Sequence, residues 1–141
     1  MKRTLAIVKP DALGSGKAGN ILAHLETAGF TIKALKMMRL TRGQAGRFYE
    51  VHRERPFFDS LMAFMTSGPC LPIVLEADEA VPRLRETIGA TDPAEAAPGT
   101  VRALYAENKE RNGIHASDSD ENAVREIGFF FSDQELLGVS E

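Results

Sequence analysis

The sequence predicts an α+β fold of ferredoxin-like βαββαβ order: a four-stranded antiparallel sheet with helices packed on one of its faces, plus additional short helices. Three observations predict it. Strand-like segments lie at 4–8, a compact apolar run with a β-branched bias, at 31–40, which alternates imperfectly, at 70–75 and at 114–115. Helical stripes fill the gaps between them, two falling between the second and third runs. The chain has 141 residues, 43% of them hydrophobic and 26% charged, which suits one domain over 1–141 with a real core.

Thr4 to Val8 reads as a buried strand, stopped by Lys9-Pro10-Asp11. Proline cannot donate to a ladder, so Lys9 stands at the strand's end, either as a ligand-facing cation or as a solvated charge. Gly14-Ser15-Gly16-Lys17-Ala18-Gly19 fails the P-loop template: Asp11 stands where its first glycine belongs and Ala18 where Ser or Thr belongs. It reads instead as a turn before a helix with Ile21, Leu22, Leu25 and Ala28 on one face and Gly29 as its stop. His24 lies off that stripe.

Thr31 to Leu40 reads as the second strand. Thr41-Arg42-Gly43-Gln44 is a capping-box pattern that opens a helix through about His52. Arg55-Pro56-Phe57-Phe58 breaks it, and Phe58, Leu61, Met62 and Met65 mark a further helix closed by Ser67-Gly68-Pro69. Two adjacent phenylalanines cannot both enter one core from a helix start, so either one is a candidate exposed platform or, the default, both are partly buried. Cys70 to Leu75 is the third strand, and its Pro72 suggests an edge position or a bulge. Ala80 to Ile88 is a helix carrying Arg83 and Arg85. Residues 89–102 then lack regular signals, and a loop of that length in a compact domain is usually functional. A short helix to about Asn108 follows, then the brief strand Ile114-His115. Asn122 to Phe131 is the last long helix, and Ser132 with Glu135 repeats the capping-box pattern.

Seventeen Lys and Arg against twenty Asp and Glu give a net charge of −3, which argues against holding nucleic acid by bulk electrostatics. The single cysteine, Cys70, cannot form an internal disulfide, so a reducing, cytoplasmic setting is expected. The run Leu5 to Val8 is too short for a signal-peptide core, and no later run is long enough to span a bilayer.

The chain is organised around Asn112-Gly113-Ile114-His115-Ala116-Ser117-Asp118-Ser119. Histidine titrates nearest neutrality, so its imidazole can serve as a neutral nucleophile at working pH. Ser117 or Ser119 is suited to cap the next helix, with Asp120 and Glu121 in its first turn. Glu126, further along that helix, is placed to fold back and orient the ring.

These motifs resemble the nucleoside diphosphate kinase family along nearly the whole chain. The carrying features are Lys9-Pro10-Asp11, Tyr49, Arg55-Pro56-Phe57-Phe58, Ser67-Gly68-Pro69, Gly89-Ala90-Thr91-Asp92-Pro93, Pro98-Gly99-Thr100-Val101-Arg102 and the His115 stretch. The resemblance implies ping-pong transfer of a γ-phosphate from a nucleoside triphosphate to a diphosphate, with His115 transiently phosphorylated. It implies that Arg85, Arg102 and Thr91 bind phosphate, that Lys9 and Asn112 lie near the ribose 3′-hydroxyl and phosphates, and that Phe57 stacks on the base. Tyr49 and Glu126 match residues around the histidine, with Ser117 supporting Glu126. Mg²⁺ is implied as a partner of the nucleotide phosphates rather than of protein ligands. A homo-oligomer, tetramer or hexamer, is implied as well, with no nucleic-acid or membrane partner. Two positions depart from the family pattern: Ala116 replaces a common glycine, and Lys109 replaces an aliphatic residue beside the base. The alternatives are a histidine phosphocarrier and a non-catalytic nucleotide-binding module. The first leaves the arginines and Phe57 without a nucleotide to serve. An RNA-binding form of the second wants exposed strand aromatics and a basic face, whereas these strands are aliphatic.

Overall fold

The structure, a computed structural model, describes residues 2–137. In chain order the elements are β1 (Arg3–Val8), α1 (Pro10–Gly14), α2 (Ala18–Thr27), β2 (Thr31–Leu35), α3 (Arg42–Phe48), a 3₁₀ turn (Glu50–His52), α4 (Phe58–Met65), β3 (Leu71–Glu76), α5 (Ala80–Ile88), α6 (Val101–Tyr105), β4 (Ile114–Ala116), α7 (Asp120–Phe130) and α8 (Asp133–Leu137). The four strands form one antiparallel sheet in the order β2-β3-β1-β4, the ferredoxin-like arrangement.

Helices cover both faces of the sheet, not one. Alternation along the strands sends Ala6, Val8, Ile73 and Leu75 to a core shared with Ile21 and Leu25 of α2 and Leu84 and Ile88 of α5. Leu5, Ile7 and Val74 face the opposite core, built with Phe48 of α3, Met62 and Met65 of α4, and Ile127 and Phe130 of α7. Burial on both sides explains why β1 and β3 read as continuous apolar runs instead of alternating ones. Each fully buried Leu or Ile contributes about 1.5–3 kcal/mol, so packing on these two layers holds the helices in place.

Several boundaries differ from expectation. The second strand ends at Leu35 and touches the sheet again only through a Met38–Cys70 bridge. The helix capped by Thr41 stops at Phe48, and Tyr49 to His52 continue as a tighter turn. Helix α6 ends at Tyr105 rather than near Asn108. Pro72 lies in an interior strand rather than at an edge, and the register shift falls instead opposite Ile32 and Ala34 of β2. Its carbonyl accepts from the Lys36 amide at 3.2 Å, so its missing N–H falls on the β2 side, just past Leu35 where β2 leaves the sheet. Both predicted capping boxes form, at Thr41 with Gln44 and at Ser132 with Glu135.

Candidate active site

His115 lies on the edge strand β4, in register with Ile7 of β1, on the sheet face covered by α3 and α7. Its Nε2 is 2.8 Å from Glu126 Oε1, and the same oxygen accepts a 2.8 Å hydrogen bond from the Ser117 hydroxyl. Ser119, not Ser117, caps α7, its Oγ accepting from the Asn122 amide at 3.1 Å. That cap sets the start of the helix and so brings Glu126, two turns on, back under the ring. Burial disfavours the Glu126 carboxylate. The hydrogen bond and charge of His115, the Ser117 hydroxyl and Arg125 outweigh it and hold the acid below its ordinary range. A carboxylate only accepts, so Nε2 carries the proton and Nδ1 keeps its lone pair. Nδ1 has no hydrogen-bond partner among the described residues. Phe48 and Tyr49 meet the imidazole edge-on, with ring centroids 5.3 and 6.2 Å away, and fix its plane.

Beside the ring opens a cleft of about 680 Å³. Lys9 enters it from the end of β1, its Nζ donating to Asn112 Oδ1 at 2.8 Å, while Asn112 Nδ2 donates to the Thr91 carbonyl at 3.2 Å. Burial, then the Arg102 charge, push Lys9 down to about 8, against the opposing pull of Asp11 and Glu110. Arg102 is buried, and its Nη1 and Nη2 donate to the carbonyls of Gly89 and Ile114 at 3.0 and 2.7 Å. Burial and then the neighbouring Arg85 lower it to about 10, so it stays charged near neutrality. Arg85, on α5, donates to the Ala116 carbonyl at 3.3 Å. Three cations gathered in one concavity make a field suited to a polyanion.

Gly113 holds the turn that carries Asn112 into this cluster. It adopts φ +84°, donates its amide to Asp11 Oδ2 at 3.1 Å, and accepts from the Lys9 amide at 2.9 Å. In the cleft wall Phe57 is 49% exposed while Phe58 packs against the core, so Phe57 is the more exposed of the two phenylalanines. His52 leans on Phe57 with centroids 5.4 Å apart.

Nine of the ten expected site residues therefore line one cleft: Lys9, Tyr49, Phe57, Arg85, Thr91, Arg102, Asn112, His115 and Glu126. Ser117, fully buried, stands behind Glu126. The sequence reading missed Phe48, His52 and Arg125 as lining residues. Phe48 carries a helix-stripe signal (Ala45, Phe48) that points to the core, and it serves core and cleft together. Arg125 places its guanidinium 3.5 Å from Glu126 Oε2 and over the Phe48 ring.

A ferredoxin-like sheet whose edge strand presents a carboxylate-anchored histidine to a cationic cleft defines a class of protein, one shaped to handle phosphate esters. The family model for nucleoside diphosphate kinase matches residues 2–136. The chain belongs to the nucleoside diphosphate kinase family. It is 53% identical to a nucleoside diphosphate kinase of a Nitratiruptor species, covering 97% of this chain and 100% of that one. Among solved structures, the nucleoside diphosphate kinase of Aquifex aeolicus superposes with a TM-score of 0.94 at 54% identity, over 96% of this chain and 98% of that one. That of Halobacterium salinarum, solved in complex with CDP, gives 0.92 at 42% identity, over 96% and 90%.

Proposed function

We propose that this chain transfers the γ-phosphoryl group of a nucleoside triphosphate to a nucleoside diphosphate through a phosphohistidine at Nδ1 of His115. The observation that carries the reading is the 2.8 Å contact from Nε2 to Glu126, which leaves Nδ1 as the ring's free lone pair. That lone pair attacks the γ-phosphorus, an N–P bond forms, and the bond to the β,γ-bridging oxygen breaks, releasing the diphosphate. Glu126 offsets the positive charge the ring acquires, and Ser117 holds the carboxylate. A second diphosphate then attacks the phosphorus through a terminal β-phosphate oxygen, the N–P bond breaks, and the neutral imidazole returns.

Phosphoryl transfer depends chiefly on positioning and charge, which Arg85, Arg102 and Lys9 supply at the phosphate end, with Thr91 and Asn112 as polar partners. Mg²⁺ would enter as part of the substrate, held by the nucleotide's phosphates, where its charge would offset theirs. Phe57 stacks on the base, a contact every base can make. Residues 1–141 act as one domain, in a homo-oligomer of four or six chains, and the exposed Leu35 and Met37 beside the sheet edge support association. A cytoplasmic setting fits the one free, buried cysteine, and no helix among the described residues is long and apolar enough to cross a membrane.

Incubation with γ-labelled ATP tests the reading. Acid-labile label is expected on His115, discharged by any added diphosphate and absent in His115→Ala. No label, label that needs a second protein to form, or substantial turnover by His115→Ala overturns it.

A further inference from the structure

Lys109 is the cation of the cleft wall with no hydrogen bond, ion pair or ring contact among the described residues. Lys9, Arg85, Arg102 and Arg125 are all engaged. A lone surface lysine is ordinary, but this one sits on a turn fixed from every side. The amide of Glu107 donates to the Arg111 carbonyl at 3.0 Å, closing the turn. Asn108 Oδ1 accepts from the amides of Glu110 and Arg111 at 3.0 and 2.9 Å, which sets the backbone on both sides of Lys109. Glu110 accepts from the Ser60 hydroxyl at 2.5 Å, and Ser60 stands three residues after Phe57 on the same helix start. The Arg111 guanidinium lies 5.3 Å from the Phe64 ring centre. Asn112 is tied to Lys9. The turn is thus built onto the element that carries the aromatic platform, and Lys109 is held in the same cleft as Phe57.

We propose that Lys109 reads the base, favouring keto bases over amino bases; this rests on the nucleotide reading of the cleft given above. An ammonium offers three donors and no acceptor. Guanine presents O6 and N7 side by side, both acceptors, and uracil and thymine present O4. Adenine and cytosine place an amino donor at the equivalent edge, which an ammonium repels. The four-carbon stem covers apolar surface beside the base while the charged end reaches its polar edge. Phe57 alone is indifferent to the base, so selectivity arises at Lys109. Glu110, the neighbouring carboxylate, accepts from the Ser60 hydroxyl through Oε1 and so ties this turn to the helix behind Phe57.

Inosine and adenosine diphosphates, differing at the six-position of the purine, form the decisive pair, with UDP and CDP as a second pair. Both the dissociation constant by calorimetry and kcat/KM with GTP as the common donor are measured on the full chain. A preference of about three- to tenfold for IDP over ADP and for UDP over CDP is expected for one charge-assisted hydrogen bond at a wet rim. Lys109→Met, which keeps the stem and loses the ammonium, brings both ratios to within twofold of one. Lys109→Arg keeps the preference. Equal treatment of IDP and ADP by the wild-type chain, or a preference that survives Lys109→Met, overturns the inference alone. Failure of any diphosphate to bind overturns it together with the nucleotide reading.

Discussion

Glu126 and His115 come from consecutive elements, a helix and an edge strand, and meet at 2.8 Å with the carboxylate buried and the imidazole half-buried. The short Ser117–Ser119 link makes this possible, one serine steadying the acid and the other starting the helix that carries it. Glu126→Gln keeps the shape and an acceptor but removes the charge facing the ring. A hydrogen bond to a charged group contributes about 1.5–3 kcal/mol, so formation of the phosphoenzyme should slow by about ten- to a hundredfold. Rapid-quench measurement of histidine labelling checks this, with circular dichroism as the control for the fold. A rate within threefold of wild type would mean that the ring needs no anion behind it.

Arg102 has two tasks that one substitution separates. Its guanidinium satisfies the carbonyls of Gly89 and Ile114 and also raises the potential of the cleft. Arg102→Ala leaves buried acceptors unpaired, a cost of about 1–3 kcal/mol in unfolding free energy by urea titration. It should also lower transition-state stabilisation by about 2–4 kcal/mol, read as kcat/KM under conditions where the variant is folded. Loss of stability with less than about tenfold loss of kcat/KM would assign Arg102 to the loop alone.

Lys9 predicts the pH response. Its folded value of about 8 lies below that of an exposed lysine, so burial of its charge costs stability wherever it is protonated. From about pH 8 up to the unfolded value near 10.4, the unfolded chain binds more protons than the folded one, and this residue's contribution makes stability rise with pH. Below that window both states hold the proton and the slope vanishes. A bound diphosphate brings negative charge to Lys9 and restores its proton. Calorimetric titration near pH 8 in two buffers of different ionisation heat should therefore show proton uptake on binding, absent in Lys9→Met. Equal uptake by the variant would place the titrating group elsewhere.

The sequence marked the chemistry more sharply than the walls around it. Lys9 follows the end of a strand, Arg102 lies in the first turn of a helix and His115 sits in a short strand just after a glycine, so the chain punctuation beside them (Lys9-Pro10, Gly99-Thr100, Gly113-Ile114) is visible without tertiary information. Which serine caps and which braces was open, because both precede the helix at acceptable spacings and only the fold separates them. Pro72 misled because local rules put proline at an edge, while its neighbour strand ends opposite it. The second helical layer was missed for a similar reason: an apolar strand buried on two faces has the same pattern as one buried on a single face with a poor alternation. Phe48 and Arg125 could not be assigned from periodicity, since each acts through its neighbour rather than through a motif of its own.

Phe57 separates binding from chemistry. At 49% exposed it adds little to the core, and its ring touches His52 rather than the buried cluster, so Phe57→Ala should leave the melting temperature nearly unchanged. Stacking on a base is worth about 1–3 kcal/mol, hence about a five- to 150-fold rise in KM for any diphosphate. The phosphate end is untouched by the change, and the histidine keeps its partners. The rate of histidine labelling at saturating ATP should therefore fall by less than about threefold, since a contact made equally in ground and transition states alters KM and not kcat. If kcat fell as steeply as KM rose, the ring would be positioning the phosphates, and the base would not be where Phe57 is.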